Sequence, residues 1–281
     1  LVAHAGEDAL SLSRVSNVFL KLPTQRTLAA LSHRSTHIKR AALVAIAWTV
    51  ITPAASAQQS SVGLGVAYSA PAYRGYDADV LPVPFFAWEG RKFYVRGVDF
   101  GYKLSQSETG SLSISATPLL HRFKSSDSSD LRMKQLHDRD ILAVAGIDWS
   151  RKGAWGRFGA KAQAELTGTG GFIADVRYSY PLPQRRAVII PEVGVGYQSK
   201  EINQHYYSVS GAEALRSGLA SYEPDDAISP YLGVTVVMPL GENWTASASL
   251  RRTVLDDSIT ESPMVGSDYQ DNVAIILSRS F

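Results

Sequence analysis

The chain has 281 residues, room for one or two domains, and no cysteine, which excludes a disulfide framework and thiolate metal sites. Its formal charge of +2 is unevenly spread: residues 1–57 hold six of the 28 Lys and Arg and two of the 26 Asp and Glu. The remainder therefore carries 22 basic and 24 acidic groups, a net −2, and lacks the electrostatic footprint of a nucleic-acid binder.

Leu1 opens the chain and the first methionine is Met133, so residues 1–32 are read as a non-native or mis-annotated extension. Residues 33–57 read as a secretory signal peptide. His33 to Arg40 is basic and Ala41 to Ala54 is apolar apart from two threonines. Ala55-Ser56-Ala57 then supplies the small-x-small cleavage pattern, at Ala55 and Ala57. The apolar stretch is too short for a spanning helix, which takes about 20 residues. Residues 58–281 are expected to form one exported domain.

That domain alternates apolar and polar residues in segments of about ten, the pattern of a transmembrane β-barrel. Strands are expected over 61–69, 79–88, 110–123, 140–150, 155–167, 171–180, 187–200, 229–238, 244–253 and 272–281. The stretch 91–104 reads as one strand or as two broken near Gly97. Single-chain bacterial barrels have even strand counts, so the reading is twelve, with ten as the alternative. From Trp155 to Glu165 one face carries Arg157, Lys161, Gln163 and Glu165, and the other Phe158, Ala160, Ala162 and Ala164. Charge on one face and small or apolar groups on the other fit a polar lumen and a lipid surface. Turns at 151–154, 181–186 and 239–243 are short, and the connections at 124–138, 201–228 and 254–270 are long and polar. Short periplasmic turns and long extracellular loops are expected. Trp88, Tyr94, Tyr102, Trp149, Trp155, Tyr178, Tyr180, Tyr197 and Trp244 stand near strand ends, where interfacial girdles form. A soluble antiparallel sandwich would share the alternation; the export signal favours the barrel. Val273, Ile275, Leu277 and Phe281 share one face of the last strand and resemble an assembly signal for outer-membrane insertion, with Arg279 departing from it.

Within the 201–228 loop, Ser210 and Glu213 have capping-box spacing and Gly218 is a stop, so a short helix is expected over 210–218. Catalytic and metal residues are read as none. His121, His137 and His205 lack metal-ligand spacing. Ser113 and Ser115 share a strand with His121, which leaves a hydrolase as an alternative. The glycines at 168, 170 and 171 have no following helix to complete a phosphate cradle. Asp225-Asp226 and Asp256-Asp257 read as solvated pairs. No cofactor is expected.

Several elements together resemble the MipA/OmpV family of outer-membrane proteins. They are Pro71, Tyr73 and Gly75; Leu81-Pro82-Val83-Pro84-Phe85-Phe86; Tyr206, Tyr207, Ser210 and Glu213; Ser217, Gly218 and Tyr222; and Ser262-Pro263. Ser208 stands where glycine is usual. The resemblance spans about 61–281 and implies a non-enzymatic barrel of the cell outer membrane. It implies contact with outer-membrane lipid and lipopolysaccharide, and a scaffold role joining a lytic murein transglycosylase to a murein synthase. A narrow channel and an adhesion or osmotic-response barrel are the other roles considered.

Overall fold

In the computed structural model, residues 59–281 are described; the extension and signal peptide expected over 1–57, with Ala55 and Ala57, lie outside them. The described chain is an antiparallel sheet closed on itself. Its strands are β1 (Gln59–Ala70), β2 (Asp79–Glu89), β3 (Phe93–Arg96), β4 (Asp99–Gln106), β5 (Gly110–Leu119), β6 (Leu142–Gly153), β7 (Gly156–Glu165), β8 (Phe172–Ser179), β9 (Leu182–Pro183), β10 (Val188–Gln198), β11 (Ala227–Leu240), β12 (Trp244–Val254) and β13 (Tyr269–Ser280). Neighbours in sequence pair in turn, and β1 pairs with β13 from Ser61 opposite Ser280 to Ala70 opposite Asp271. The two-residue β9 shares with β8 the same edge of β10. The wall is therefore a twelve-strand barrel, as the even-count argument requires. No described helix is long and apolar enough to cross a membrane; the described chain crosses by strands, whose peptide groups pair across the sheet except above the short β3 and β4.

Period-two alternation assigns the faces. Val62, Leu64 and Val66 of β1, Val193 and Val195 of β10, and Ile275 and Leu277 of β13 are exposed on the outside. Their intervening neighbours turn into the lumen. Closing the barrel needs small residues at the seam. A Cβ on Gly63 or Gly65 would lie within about 2.4 Å of β13 backbone oxygens, closer than any side chain tolerates.

The 91–104 stretch resolves as two strands, β3 and β4, joined through Gly97-Val98 with Gly97 at φ 62. That positive φ is a glycine conformation at no cost in a two-residue hairpin. One expectation is corrected here. Tyr94 belongs to no interfacial girdle: it is 2% exposed and lies across Gly101 on the inner face. Phe93 and Val95 are the residues of β3 that alternate to the outside. Trp149, Trp155, Tyr178, Tyr180 and Trp244 are exposed as a girdle requires.

The strand expected to 123 ends at Leu119, because 120–141 leaves the wall. So do 71–78, 199–226 and 255–268, all at the same end. Helices α1 (Lys200–Tyr207), α2 (Gly211–Ser217) and α3 (Asp257–Thr260) lie in these loops. At the opposite end the connections are short turns.

Candidate functional site: a capped lumen lined with charge

The long loops pack on one another rather than dangling. Tyr73, Phe123, Met133, Ile202, Tyr206, Val209 and Met264 are among the buried residues of a single hydrophobic cluster, drawn from four loops. Burial of aromatic and aliphatic side chains, each contributing about 1.5–3 kcal/mol, holds this cap together.

Tyr73 is its centre. The phenol hydroxyl lies 2.8 Å from His121 Nε2 and 3.2 Å from the Tyr206 carbonyl oxygen. One hydroxyl proton satisfies both contacts in one way: Tyr73 donates to Tyr206, and His121 Nε2–H donates to Tyr73. His121 is boxed by the rings of Tyr73, Tyr206 and Tyr207, with centroids at 5.3, 4.5 and 5.5 Å. Burial, and then the neighbouring His205, pull its pKa from 6.5 down to about 4, so the ring is neutral at physiological pH. Burial pushes the phenols of Tyr73 and Tyr207 well up and that of Tyr206 to about 12. Ser113, the candidate nucleophile on β5, lies 3.4 Å from the Tyr94 hydroxyl, and Ser115 accepts from Gln163 at 3.1 Å. Both turn to partners other than His121.

Glu213 is the polar counterpart. Ser210 caps α2, with its side chain accepting from the Glu213 amide while the Glu213 carboxylate accepts from the Ser210 amide at 3.0 Å. Gly218 ends the helix in the left-handed region at φ 70. The same carboxylate accepts from the His137 amide at 3.0 Å and from Arg139 at 2.8 Å, which ties the 199–226 loop to the 120–141 loop. Burial raises the carboxyl pKa, but these donors outweigh it and hold the value at about 2.

The loop residues that carry the family resemblance thus converge, although Pro71 and Pro263 are far apart in sequence; residues 81–86 stay in the wall on β2. Pro71 opens the loop that places Tyr73. Gly75 has φ 71, and a Cβ there would meet the Asp130 amide nitrogen at 2.7 Å. Ser217 donates to the Glu213 carbonyl, Tyr222 to the Ser258 carbonyl, and Ser262 to the Tyr207 carbonyl at 2.7 Å. Pro263 follows Ser262 beside the buried Met264. The acidic pairs have local duties too. Asp256 caps α3 and Asp226 accepts from the Lys200 amide at 2.8 Å. The glycine-rich turn after β7 wraps its amides around the chain's own Glu165. Among the described residues there is no cluster of three or more His, Asp or Glu arranged to hold a metal.

Below the cap, the inner wall carries paired charges. Glu89 pairs with Lys103 at 2.7 Å and with Arg96. Lys161 lies between Asp99 at 3.6 Å and Asp148 at 3.9 Å, and Arg177 between Asp148 at 3.6 Å and Asp175 at 2.9 Å. Asp175 also accepts from Tyr231, whose ring lies under Arg251, and Arg251 pairs with Glu192 at 2.6 Å. The pairs run from β2 to β12. The charges named here persist in a confined lumen because each faces an opposite partner, up to three strands away for Lys161 and Asp99. Sequence reasoning saw the polar face of β7 but not this belt. The signal was present as acid and base at inward positions of successive strands.

A closed antiparallel barrel with an apolar exterior, a charged interior and unequal ends is a transmembrane protein of the bacterial outer membrane. The chain matches the family model "MltA-interacting protein MipA" over residues 62–281, and it belongs to that family. Putative outer membrane protein YiaT of Escherichia coli K12 is 37% identical over 212 residues, 75% of this chain and 86% of that protein. The MltA-interacting protein of Escherichia coli K12 is 34% identical over 224 residues, 79% of this chain and 90% of its own length. Among solved structures, the COG4313 outer membrane channel from Pseudomonas putida F1 is similar at a TM-score of 0.45 and 10% identity, covering 83% of this chain and all of that one.

Proposed function

We propose that this barrel is a non-enzymatic scaffold that holds murein-remodelling enzymes, a lytic transglycosylase and a murein synthase, at the inner surface of the outer membrane. The observation that carries the reading is the likeness over most of its length to a protein named for its interaction with MltA. The cap is consistent with it, since a mouth filled by a hydrophobic cluster is built for shape rather than for free passage. The short-turn end offers exposed basic groups to a periplasmic partner: Arg91, Lys92, Arg151, Lys152, Arg185 and Arg186. Outer-membrane lipid and lipopolysaccharide would surround the apolar exterior. Val273, Ile275 and Leu277 on β13, with Phe281 after it, would serve as the insertion signal. Crosslinking in whole cells followed by affinity purification tests the scaffold: a murein transglycosylase should be captured, and capture should weaken when Arg151, Lys152, Arg185 and Arg186 are all replaced by Ser. Recovery of no murein enzyme would end this reading.

The charged lumen favours a second reading, a narrow channel for polar solutes. Planar-bilayer recordings decide it: discrete steps from the purified protein support a channel, and their lack removes it.

A further inference from the structure

The wall is interrupted between β2 and β5. β2 pairs with β3 from Ala87 to Glu89, and one more bond, Gly97 N–H to the Phe86 carbonyl at 2.8 Å, closes the contact. β5 pairs with β4 no higher than Ala116. Above the Gly97-Val98 turn, residues 80–85 of β2 and 117–119 of β5 have a ladder partner on one side each, β1 and β6. The gap spans three inter-strand steps at its base, about 14 Å. It is roofed by the first and second long connections, 71–78 and 120–141. There the Tyr76 hydroxyl holds the Lys124 backbone and the Ser129 amide donates to the Gly75 carbonyl at 2.7 Å.

Register shows how this edge is managed. The Ser60 carbonyl accepts from Phe281, so the even-numbered residues of β1 direct their peptide groups toward β13. Their partners on β2, Pro84 opposite Leu64 and Pro82 opposite Val66, therefore direct theirs into the gap. On the far side, the Ala143 carbonyl accepts from Leu166 on the β7 side, so Pro118, opposite Ala143, also turns toward the gap. Three positions whose N–H would point into the gap are prolines and have none. An arriving strand would find carbonyl acceptors without matching donors there, so the edge resists β-addition.

The chemistry of the frame also departs from the rest of the wall. Leu81, Val83 and Phe85 of β2 turn inward, whereas the inward residues of β5 are Ser111, Ser113, Ser115 and Thr117. Outside, Val80, Phe86 and Phe100 are exposed around the gap, which places it in the hydrocarbon layer. A hole in an outer-membrane wall that is apolar outside and along its inward β2 edge, and rimmed by proline carbonyls with no N–H beside them, suits one kind of occupant. That occupant is an acyl chain with a hydroxyl or amide near its root.

We propose that this gap is a lateral window that admits an acyl chain of lipopolysaccharide from the outer leaflet. The chain lies against Val83 between Leu81 and Phe85, and its hydroxyl or amide donates to the bare carbonyls of Pro82, Pro84 or Pro118. This goes beyond the scaffold reading and does not depend on it. The test is photocrosslinking in intact cells with benzoylphenylalanine at Val83. Leu250, on the outer face, is the lipid-exposed reference, and Ser249, on the inner face of β12, is the lumen reference. Lipopolysaccharide adducts should form at Val83 at a level near that of Leu250 and several-fold above Ser249. Adducts at Val83 no more abundant than at Ser249 would overturn the window. So would labelling at Val83 by an added photoreactive free fatty acid with no lipopolysaccharide adduct, since the occupant would then be a free amphiphile. If the bulky residue blocks folding, as read by a lost heat-modifiable gel shift, a nitroxide on Val83→Cys replaces it. Relaxation of that label by oxygen over a water-soluble nickel chelate supports the window, and the reverse order overturns it.

Discussion

Replacing Glu213 by alanine should loosen the cap while leaving the barrel wall standing. The carboxylate is 2% exposed and accepts from Arg139, from the His137 amide and from the amide and hydroxyl of Ser210. Truncation removes the capping box, which costs about 1 kcal/mol. It also strips Arg139 of its carboxylate, and breaking a buried pair on one side costs about 3–5 kcal/mol. Arg139 keeps bonds to the His137 and Ser208 carbonyls at 3.1 and 3.2 Å. With that relief and solvent screening at the rim, the net expectation is about 3 kcal/mol. One decade corresponds to about 1.4 kcal/mol, so local opening should become about a hundredfold more frequent. Hydrogen exchange read by mass spectrometry on the protein in lipid nanodiscs measures this directly. Peptides covering 120–141 and 205–222 should exchange faster, while those from β6 and β12 stay unchanged. Glu213→Gln, which keeps the shape and loses the charge, should fall between wild type and alanine. An alanine variant whose cap exchanges within about threefold of wild type, under about 0.7 kcal/mol, would refute the view that Glu213 joins the two loops.

The cap should also loosen on acidification. The open cap binds a proton on His121 near pH 6.5 and the closed cap near pH 4. Closure is therefore fully favoured above about pH 6.5 and weakens as pH falls through that interval. Glu213 contributes above its ordinary 4.5 and loses its contribution as pH drops toward about 2, so between pH 7 and pH 5 His121 dominates. Cap exchange, corrected for intrinsic rates, should rise at pH 5 in wild type and stay flat in His121→Phe; an equal rise in both would discount the histidine. Arg177→Met leaves the carboxylates of Asp148 and Asp175 without their shared cation. It should lower the temperature midpoint of the heat-modifiable gel shift, by a destabilisation of about 3 kcal/mol; an unchanged midpoint would deny the belt a stabilising role. Deleting residues 200–222 with a short Gly-Ser bridge should turn a silent barrel into one with measurable bilayer conductance, and continued silence would mean that the cap is not what closes the lumen.

What could be read from the sequence, and what could not, divides along local and non-local lines. The outer faces of β1 and β13 were legible because period-two alternation sustained over ten residues marks an extended strand with two unlike faces. The β3–β4 pair was legible in part: the even strand count and Gly97 pointed to two strands, but a four-residue strand is too short to show a period and nothing marked how far the hairpin rises. Tyr94 was placed in the girdle because an aromatic near a strand end can face either way, and parity with Phe93 and Val95 decides it. The Ser210–Glu213 cap follows from a three-residue spacing. The partner Arg139 lies 74 positions away, and the packing of two loops on one another at the mouth brings it there. Pro82 and Pro84 stood out as a motif, yet the direction of their missing amides emerges once the register with β1 is known.

The cap is assembled from four stretches of chain that meet once the strands between them are in place. Everything the cell shows on this side is therefore a mosaic, with Leu131 and Leu215, at 75% and 90% exposure, contributed by different loops. Peptides copied from any single loop would lack that surface. Antibodies raised against such peptides should stain denatured protein and miss living cells, and serum from whole-cell immunisation should do the opposite.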